Sequence, residues 1–116
     1  MKILAIDTST MISSVGVLDG AYSLNQVKTH SELLLPMTNE LLSKLGLGLE
    51  DIDLFAVAKG PGSFTGLRIG MSAVKTMAQV LDKKIIGVST LEALAYGVIT
   101  DRLIIPIIDA RGKRYF

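Results

Sequence analysis

The sequence predicts an α/β fold, a mixed sheet with helices on both faces, in the order βββαβαβαβ. Apolar residues make up 49% of the 116 residues and aromatic residues only 5%, which is typical of β-branched strands packed on Leu- and Ala-rich helices. A tight-turn signal separates early strand-like segments, which predicts an antiparallel meander. Strand-like and helix-like segments then alternate, which predicts parallel strands with crossover helices.

Three strands are predicted at the start of the chain. Lys2 to Asp7 forms a short apolar run that ends at an acid. Ser14 to Leu18 forms the second strand, and the third lies around Tyr22 to Lys28. Asp19-Gly20 between the second and third strands is a strong signal for a tight turn, so we expect antiparallel pairing.

Apolar residues recur at helical spacing between residues 31 and 45. The stripe consists of Leu34, Met37, Leu41 and Leu45. Pro36 is tolerated only in the first turn of a helix, which places the helix start near Glu32 or Leu33. The glycines that follow the stripe end the helix.

The remaining elements alternate between strand and helix. In chain order they are a buried strand over Ile52 to Ala58, a helix from about Gly66 to Leu81, a strand over Ile85 to Val88, a short helix over Leu91 to Val98 and a strand over Leu103 to Ile108. After the last of these a further strand begins with nothing to pair with. We therefore expect this chain to be the front part of a longer protein.

Composition excludes several classes of protein. Twelve basic and eleven acidic residues leave a net charge of +1, so no global field attracts nucleic acid or an anionic membrane. The chain has no Cys, which excludes disulfide scaffolds and thiol catalysis and fits a cytoplasmic protein. No apolar run approaches the roughly eighteen residues of a membrane-spanning helix.

The segment Gly60 to Gly70, GPGSFTGLRIG, holds four of the eleven glycines. A Walker phosphate loop needs Lys and then Ser or Thr after its last Gly, but Gly66 is followed by Leu and Arg. The dinucleotide fingerprint is one residue shorter than this spacing. Gly60 and Gly62 suit a turn that other residues cannot form. Because the segment matches neither phosphate-binding pattern well, we favour close packing over phosphate binding.

The packing hypothesis concerns the helix that follows this turn. Ser63 or Thr65 is predicted to cap it. Gly66 and Gly70 lie four residues apart on one helix face, where another helix or a strand can approach closely. Each glycine costs about 1 kcal/mol against Ala inside a helix, so we expect close packing to compensate.

Asp7-Thr8-Ser9, at the end of the first strand, is the second candidate for chemistry. It resembles the first phosphate loop of the actin, sugar-kinase and Hsp70 superfamily. The alternative is an Asx or Ser/Thr turn that closes the strand, and spacing leaves both open. His30 is the only histidine; it stands at a helix start, where we favour capping over a role as base or ligand.

Both helices carry more apolar residues than one buried face requires. The additional residues are Leu33, Leu35 and Leu42 on the first helix and Ile69, Ala73 and Val80 on the second. Large exposed apolar patches are uncommon on soluble monomers. The surplus therefore predicts a protein partner.

Five stretches together resemble one family closely. They are LAIDTST at Leu4 to Thr10, HSELLLP at His30 to Pro36, GPGSFTGLRIG at Gly60 to Gly70, VSTLEALA at Val88 to Ala95 and IDAR at Ile108 to Arg111. In their order along the chain and in the length that they cover, these stretches resemble the TsaB family, also called YeaZ, which serves threonylcarbamoyladenosine synthesis on tRNA. The resemblance implies an actin-like, RNase H-type first lobe over residues 1–101 and the opening strand and turn of a second lobe over 102–116.

The same resemblance implies a subunit without catalytic residues. TsaB-like proteins resemble TsaD, which transfers threonylcarbamoyl to the adenosine beside the anticodon in tRNAs that read codons beginning with A. The two histidines that hold the TsaD metal correspond here to Thr90 and Leu94, so neither a metal site nor peptidase activity is expected. No cofactor is expected, although the retained nucleotide fold allows weak binding of ATP or ADP.

TsaD is the implied partner, with TsaE in the larger assembly, a homodimer when the chain is alone and only indirect contact with tRNA. The implied interface consists of Leu34, Met37, Leu41, Gly66, Gly70, Met71, Val74, Met77 and Ala78. A vestigial nucleotide site would consist of Asp7, Thr8, Ser9, Gly60 and Gly62. The alternative function is an actin-like kinase or ATPase that uses Asp7 and the loop from Gly60 to Gly66.

Overall fold

The computed structural model of the protein describes residues 1–10, 12–19, 23–30 and 33–91. Its elements are β1 (Lys2–Asp7), β2 (Ile12–Asp19), β3 (Ser23–His30), α1 (Leu34–Lys44), a 3-10 turn (Leu49–Asp51), β4 (Leu54–Gly60), α2 (Phe64–Leu81) and β5 (Lys84–Ser89). Every strand and α-helix predicted wholly inside these ranges is present, with ends that differ by two residues or fewer.

The strands form one mixed sheet in the order β3-β2-β1-β4-β5. Strands β1, β2 and β3 pair antiparallel, whereas β4 pairs parallel with both β1 and β5. The predicted meander followed by parallel strands is therefore confirmed. Because β1 and β4 are parallel neighbours, the loops that follow them emerge at the same edge of the sheet.

One hydrophobic core lies between the sheet and the two α-helices. Leu4 of β1 is fully buried, and the strand register places Val17 and Phe55 on either side of it. The core cluster consists of Leu4, Ile6, Val15, Val17, Leu34, Leu41, Leu42, Ile52, Phe55, Val57, Val74, Met77 and Ala78. Because alternate strand residues face one side, α1 and α2 cover the same face of the sheet.

The opposite face of the sheet is lined by small residues. Gly16, Ala5 and Ala56 lie side by side across β2, β1 and β4. The sequence predicted helices on both faces, but α1 and α2 share one. Residues 92–98 of the predicted third helix and the predicted strand 103–108 lie outside the described residues, so a helix on the second face stays a prediction.

Helix α1 ends at the predicted place through a Schellman motif. Gly46 has a φ of 70°, in the left-handed region that favours glycine. Its N–H donates to the Ser43 carbonyl at 3.1 Å, and the Leu47 N–H donates to the Leu42 carbonyl at 2.9 Å. At the start of α1 the N-cap residue is Leu33, which makes no capping hydrogen bond through its side chain.

Strand β4 begins two residues later than predicted because the chain first completes the 3-10 turn. Asp51 Oδ2 accepts a hydrogen bond from the Gly48 N–H at 2.8 Å. Asp53 then pairs twice with Lys2: its N–H donates to the Lys2 carbonyl at 2.9 Å, and its Oδ2 accepts from the Lys2 N–H at 2.8 Å. These bonds tie the chain before β4 to the first residue of β1.

Candidate functional site

The two helical glycines of the glycine-rich segment pack against the end of β1. Both Gly66 and Gly70 are buried. A side chain on Gly66 would meet the carbonyl oxygen of Thr8, and one on Gly70 would meet the Thr8 hydroxyl. That hydroxyl donates a hydrogen bond to the Gly66 carbonyl. The close approach expected from the sequence is therefore present, and it is made by Thr8 of the same chain.

This contact shows what Gly66 and Gly70 approach within the chain. We expected them to open the surface of α2 to a partner. The space beside them is instead occupied by Thr8, so they are not part of an open surface. The physical reason is that β1 and β4 are neighbours, which brings the end of β1 directly under the first turns of α2.

The loop after β1 and the loop after β4 are joined by direct contacts. Asp7 Oδ1 accepts hydrogen bonds from the Ser9 N–H at 2.9 Å and the Ser9 hydroxyl at 2.6 Å. The Ser9 carbonyl accepts from the Ser63 N–H at 2.8 Å. A Cβ on Gly62 would lie 2.6 Å from the Cβ of Ser9, so only glycine fits there.

These contacts favour the turn interpretation of Asp7-Thr8-Ser9. A side-chain acceptor that binds the N–H two residues later is the geometry of an Asx turn. The hydroxyl protons of Thr8 and Ser9 are both donated within the chain. Gly60 has a φ of 116°, so it also has the special backbone conformation predicted for it. These hydrogen bonds and the φ of Gly60 do not test nucleotide binding, which stays a hypothesis.

Helix α2 begins with a side-chain cap. Ser63 Oγ accepts a hydrogen bond from the Gly66 N–H at 3.2 Å, which selects Ser63 from the two predicted caps. The helix consequently starts at Phe64, two residues before the predicted start. Thr65 lies in the first turn and lines a groove on the outer surface.

Most of the residues named for a partner interface are covered by the chain itself. Leu34, Leu41, Gly66, Gly70, Val74, Met77 and Ala78 are buried. They face the core because the helical stripe with the strongest apolar character is the one that meets the sheet. Only Met37 and Met71 are half-buried. The predicted interface itself stays a prediction. Of the buried residues, Leu34 and Met77 also line a groove on the helices, whereas the other five do not.

A groove of about 720 Å³ lies between the first turn of α1 and helix α2. It is lined by Leu34, Leu35, Pro36, Thr65, Arg68, Ile69, Ser72, Ala73, Thr76 and Met77. Leu35 is 51% exposed and Ile69 is 39% exposed, so apolar side chains from both helices reach solvent. Of the apolar surplus predicted from the sequence, Leu35, Ile69 and Ala73 lie here. Leu42 is instead buried in the core, and Leu33 and Val80 are exposed outside the groove. The sequence pattern could have located this surface, because Leu35 and Ile69 both fall beside the apolar stripe that faces the core.

Sequence reasoning missed an exposed aromatic residue at the start of α2. Phe64 is 75% exposed, and the guanidinium carbon of Arg68 lies 5.5 Å from the centre of its ring. Spacing of four residues brings both side chains to one helix face. The interaction was not foreseen because the predicted helix began only at Gly66.

A smaller cavity of about 240 Å³ lies against the small-residue face of the sheet, which Gly16, Ala5 and Ala56 form. Asp7 and Ser14 line it together with the small residues Ala5, Gly16 and Ala58. Among the described residues, no cluster of three His, Cys, Asp or Glu side chains is placed to hold a metal ion. Thr90 is 4% exposed, and its buried hydroxyl has no hydrogen-bond partner among the residues that the structure describes.

None of the helices in the described part of the chain is long and apolar enough to cross a membrane.

Comparison with known proteins points to one family. The model of the family described as TsaD, tRNA N6-adenosine threonylcarbamoyltransferase, matches residues 18–116. A protein of Bacillus subtilis named tRNA threonylcarbamoyladenosine biosynthesis protein TsaB is 43% identical over 122 residues, which cover 100% of this chain and 53% of that protein. The protein of the same name in Haemophilus influenzae is 39% identical over 99 residues, which cover 82% of this chain and 42% of that protein.

Similarity to a solved structure identifies the fold. YeaZ from Pseudomonas aeruginosa superposes with a TM-score of 0.73 at 35% identity, over 78% of this chain and 46% of that chain. The strand order and this similarity identify the fold as an actin-like, RNase H-like lobe. The chain spans about half the length of the curated relatives it matches.

Proposed function

The chain belongs to the TsaB (YeaZ) family, and we propose that it serves threonylcarbamoyladenosine synthesis on tRNA as a non-catalytic subunit that binds TsaD. The observation that carries this proposal is the groove between α1 and α2. It exposes Leu35 and Ile69, and the core residues Leu34 and Met77 also line it. An apolar groove between two helices suits an amphipathic helix of a partner. TsaE joins the larger assembly, and tRNA contacts this subunit only indirectly.

The loops at the sheet edge support a role without catalysis. Asp7, Thr8 and Ser9 are engaged with one another and with the start of α2 rather than aimed together at a substrate. Nucleophilic or acid-base catalysis needs a nucleophile with a base within hydrogen-bond reach. The hydroxyl of Ser9 does reach the Asp7 carboxylate, but Ser9 is buried and that carboxylate oxygen also accepts the Ser9 N–H, so the contact closes a turn that a substrate does not reach.

Co-elution with purified TsaD in size-exclusion chromatography tests this function. We expect a complex with the wild-type chain and none with Leu35→Glu or Ile69→Glu, because each places a charge inside the groove. Val80→Glu is the matched control, since Val80 is 78% exposed on α2 but does not line the groove. Absence of a wild-type complex, or equal complexes with all variants, would contradict the proposal.

The choice of variants depends on burial. Val74 is fully buried and Met71 packs against the core, so glutamate at either position would unfold the chain and report nothing about a partner. Leu35 and Ile69 are exposed enough to be changed without loss of the core. A far-ultraviolet circular dichroism spectrum of each variant checks that the fold is kept.

Weak binding of ATP or ADP is a second proposal, favoured by the position of Asp7. Asp7 is the last residue of β1 and lines the smaller cavity, and ligands of open α/β sheets bind outside the carboxyl ends of the strands. Calorimetric titration with magnesium ATP should give a dissociation constant in the millimolar range without turnover. Measurable hydrolysis that is lost in Asp7→Asn would instead support the alternative function, a kinase or ATPase.

A further inference from the structure

The described side chains that line the groove between α1 and α2 include one cation. Arg68 is the only charged residue among the described residues that line it, and the others are apolar or carry hydroxyls. Arg68 lies over the ring of Phe64, a contact that restricts its rotamers. No acidic residue occurs anywhere in α2. The cation therefore has no carboxylate partner on its own helix.

A second cation extends this charge along the helix. Lys75 follows Arg68 by seven residues, which is two helical turns, so both lie on one stripe of α2. Both side chains are exposed. Within the described ranges, the only ion pair joins Lys44 to Glu40 at 3.5 Å, on α1. Within the described part of the chain, the stripe of α2 that carries Arg68 and Lys75 is therefore cationic and has no ion-pair partner.

We propose that the groove receives a helix whose apolar face is flanked by carboxylates, which pair with Arg68 and Lys75. An occupant that fills the groove removes water from the guanidinium of Arg68. A desolvated charge is costly unless an opposite charge or several acceptors replace the water. The occupant must therefore supply acceptors beside its apolar residues. The inference rests on the proposed function only for the identity of the protein that carries this helix.

A second copy of the chain fits this requirement poorly. A two-fold pairing of the same faces brings Arg68 and Lys75 of both copies into one interface, and the cations oppose each other directly where they lie near the symmetry axis. The acid on α1, Glu40, is already paired with Lys44. Like charges that face each other across an interface oppose association, and salt screens that repulsion. Self-association through this face should therefore strengthen as salt is added, whereas binding of the acidic helix should weaken.

Two synthetic helices test the proposal directly. Each is an 18-residue amphipathic peptide with the same leucine face, flanked by glutamate in one peptide and by lysine in the other. Fluorescence anisotropy with the whole chain should give at least about tenfold tighter binding of the glutamate peptide at low salt. At about 1 M salt, where the Debye length is about 3 Å, this preference should fall severalfold. Equal affinities at low salt would overturn the inference.

Charge variants identify the residues responsible. Arg68→Glu should abolish or reverse the preference for the glutamate peptide, and Arg68→Gln should reduce it. Lys84→Glu is the matched control, because Lys84 is an exposed cation on β5 outside the groove. Its effect on the ratio of the two affinities should be less than twofold. A similar loss in the control would show a nonspecific effect of net charge and overturn the assignment to Arg68.

The peptide and TsaD measurements separate the two proposals. A preference for the glutamate peptide without any complex with TsaD would leave the groove chemistry standing and contradict the proposed function. A complex with TsaD that is unaffected by salt and by Arg68→Glu, together with equal peptide affinities, would contradict the groove chemistry and leave the proposed function standing.

Discussion

The hydroxyl of Thr8 donates a hydrogen bond to the main-chain carbonyl of Gly66, across 58 positions of the chain. Thr8 is fully buried, and the bond joins the end of β1 to the first turn of α2. The loop after β4 is held to the same place by the bond from the Ser63 N–H to the Ser9 carbonyl. The junction therefore positions α2 on the sheet and also sets the orientation of its outer groove.

Thr8→Val should destabilise the chain by about 1–3 kcal/mol, because it leaves the buried carbonyl of Gly66 without this donor. Valine keeps the shape of threonine, so loss of packing contributes little. Chemical denaturation measures the free energy of unfolding. Thr76→Val is the control: the Thr76 hydroxyl donates to the Ser72 carbonyl at 2.9 Å, but at an exposed site where water replaces it. Equal effects of the two variants would show that burial of the Thr8 bond is unimportant.

Gly66→Ala should lower the melting temperature although alanine is the better helix former. The new methyl group would meet the main-chain oxygen of Thr8, which cannot move without shifting β1. Overpacking of this kind costs about 1–3 kcal/mol, against a gain in helix propensity of about 1 kcal/mol. Gly48→Ala is the comparison, because the atoms it would meet belong to the flexible side chain of Glu50. A rise in melting temperature for Gly66→Ala would disprove the close contact.

Gly46→Ala should destabilise the chain through its backbone conformation alone. No atom outside its immediate neighbours lies within 4 Å of a Cβ built on Gly46, so steric contact is not the cause. A φ of 70° costs a residue with a side chain about 1–2 kcal/mol. Gly46→Asn should cost less than Gly46→Ala, because asparagine tolerates this region better. The order of the two melting temperatures checks the prediction.

Stability should fall at acid pH through Asp53. The hydrogen bond from the Lys2 N–H, aided by the charges of the amino terminus, Lys83 and Lys2, lowers the pKa of this exposed carboxyl below its ordinary value of 3.8. A group whose pKa is lower in the folded state stabilises the fold above its unfolded pKa. That contribution is lost as pH falls below about 4 and through the folded pKa.

Denaturation of Asp53→Asn at pH 7 and pH 3 tests this carboxyl. The variant should lose less stability than the wild type between the two pH values, since it has no charge to lose. Asp82→Asn, at an exposed position after α2, should keep the wild-type difference. Identical pH dependence in the wild type and Asp53→Asn would contradict the assignment.

Local signals in the sequence located most of the elements. The Gly46 terminator and the apolar stripe of α1 act within a few residues, so sequence reasoning placed this helix closely. The β4 boundary was displaced because the side chain of Asp51 and the backbone of Gly48 form a turn that apolar periodicity does not reveal. The partner face was harder to assign: Val74 and Ile69 are both apolar, and only packing shows that one is buried and the other exposed.

The sequence by itself determined the α/β class, the meander followed by alternating units, the turn at Gly60 and the family resemblance, because these depend on local conformation and on ordered motifs. Only the tertiary structure decided what Gly66 and Gly70 approach. Both glycines lie on a helix face that the sequence defines, but the atoms opposite them come from Thr8, which chain pairing brings there. The same long-range packing covers the interface residues first chosen and leaves Leu35, Arg68 and Ile69 at the groove, because one apolar stripe of each helix must meet the sheet.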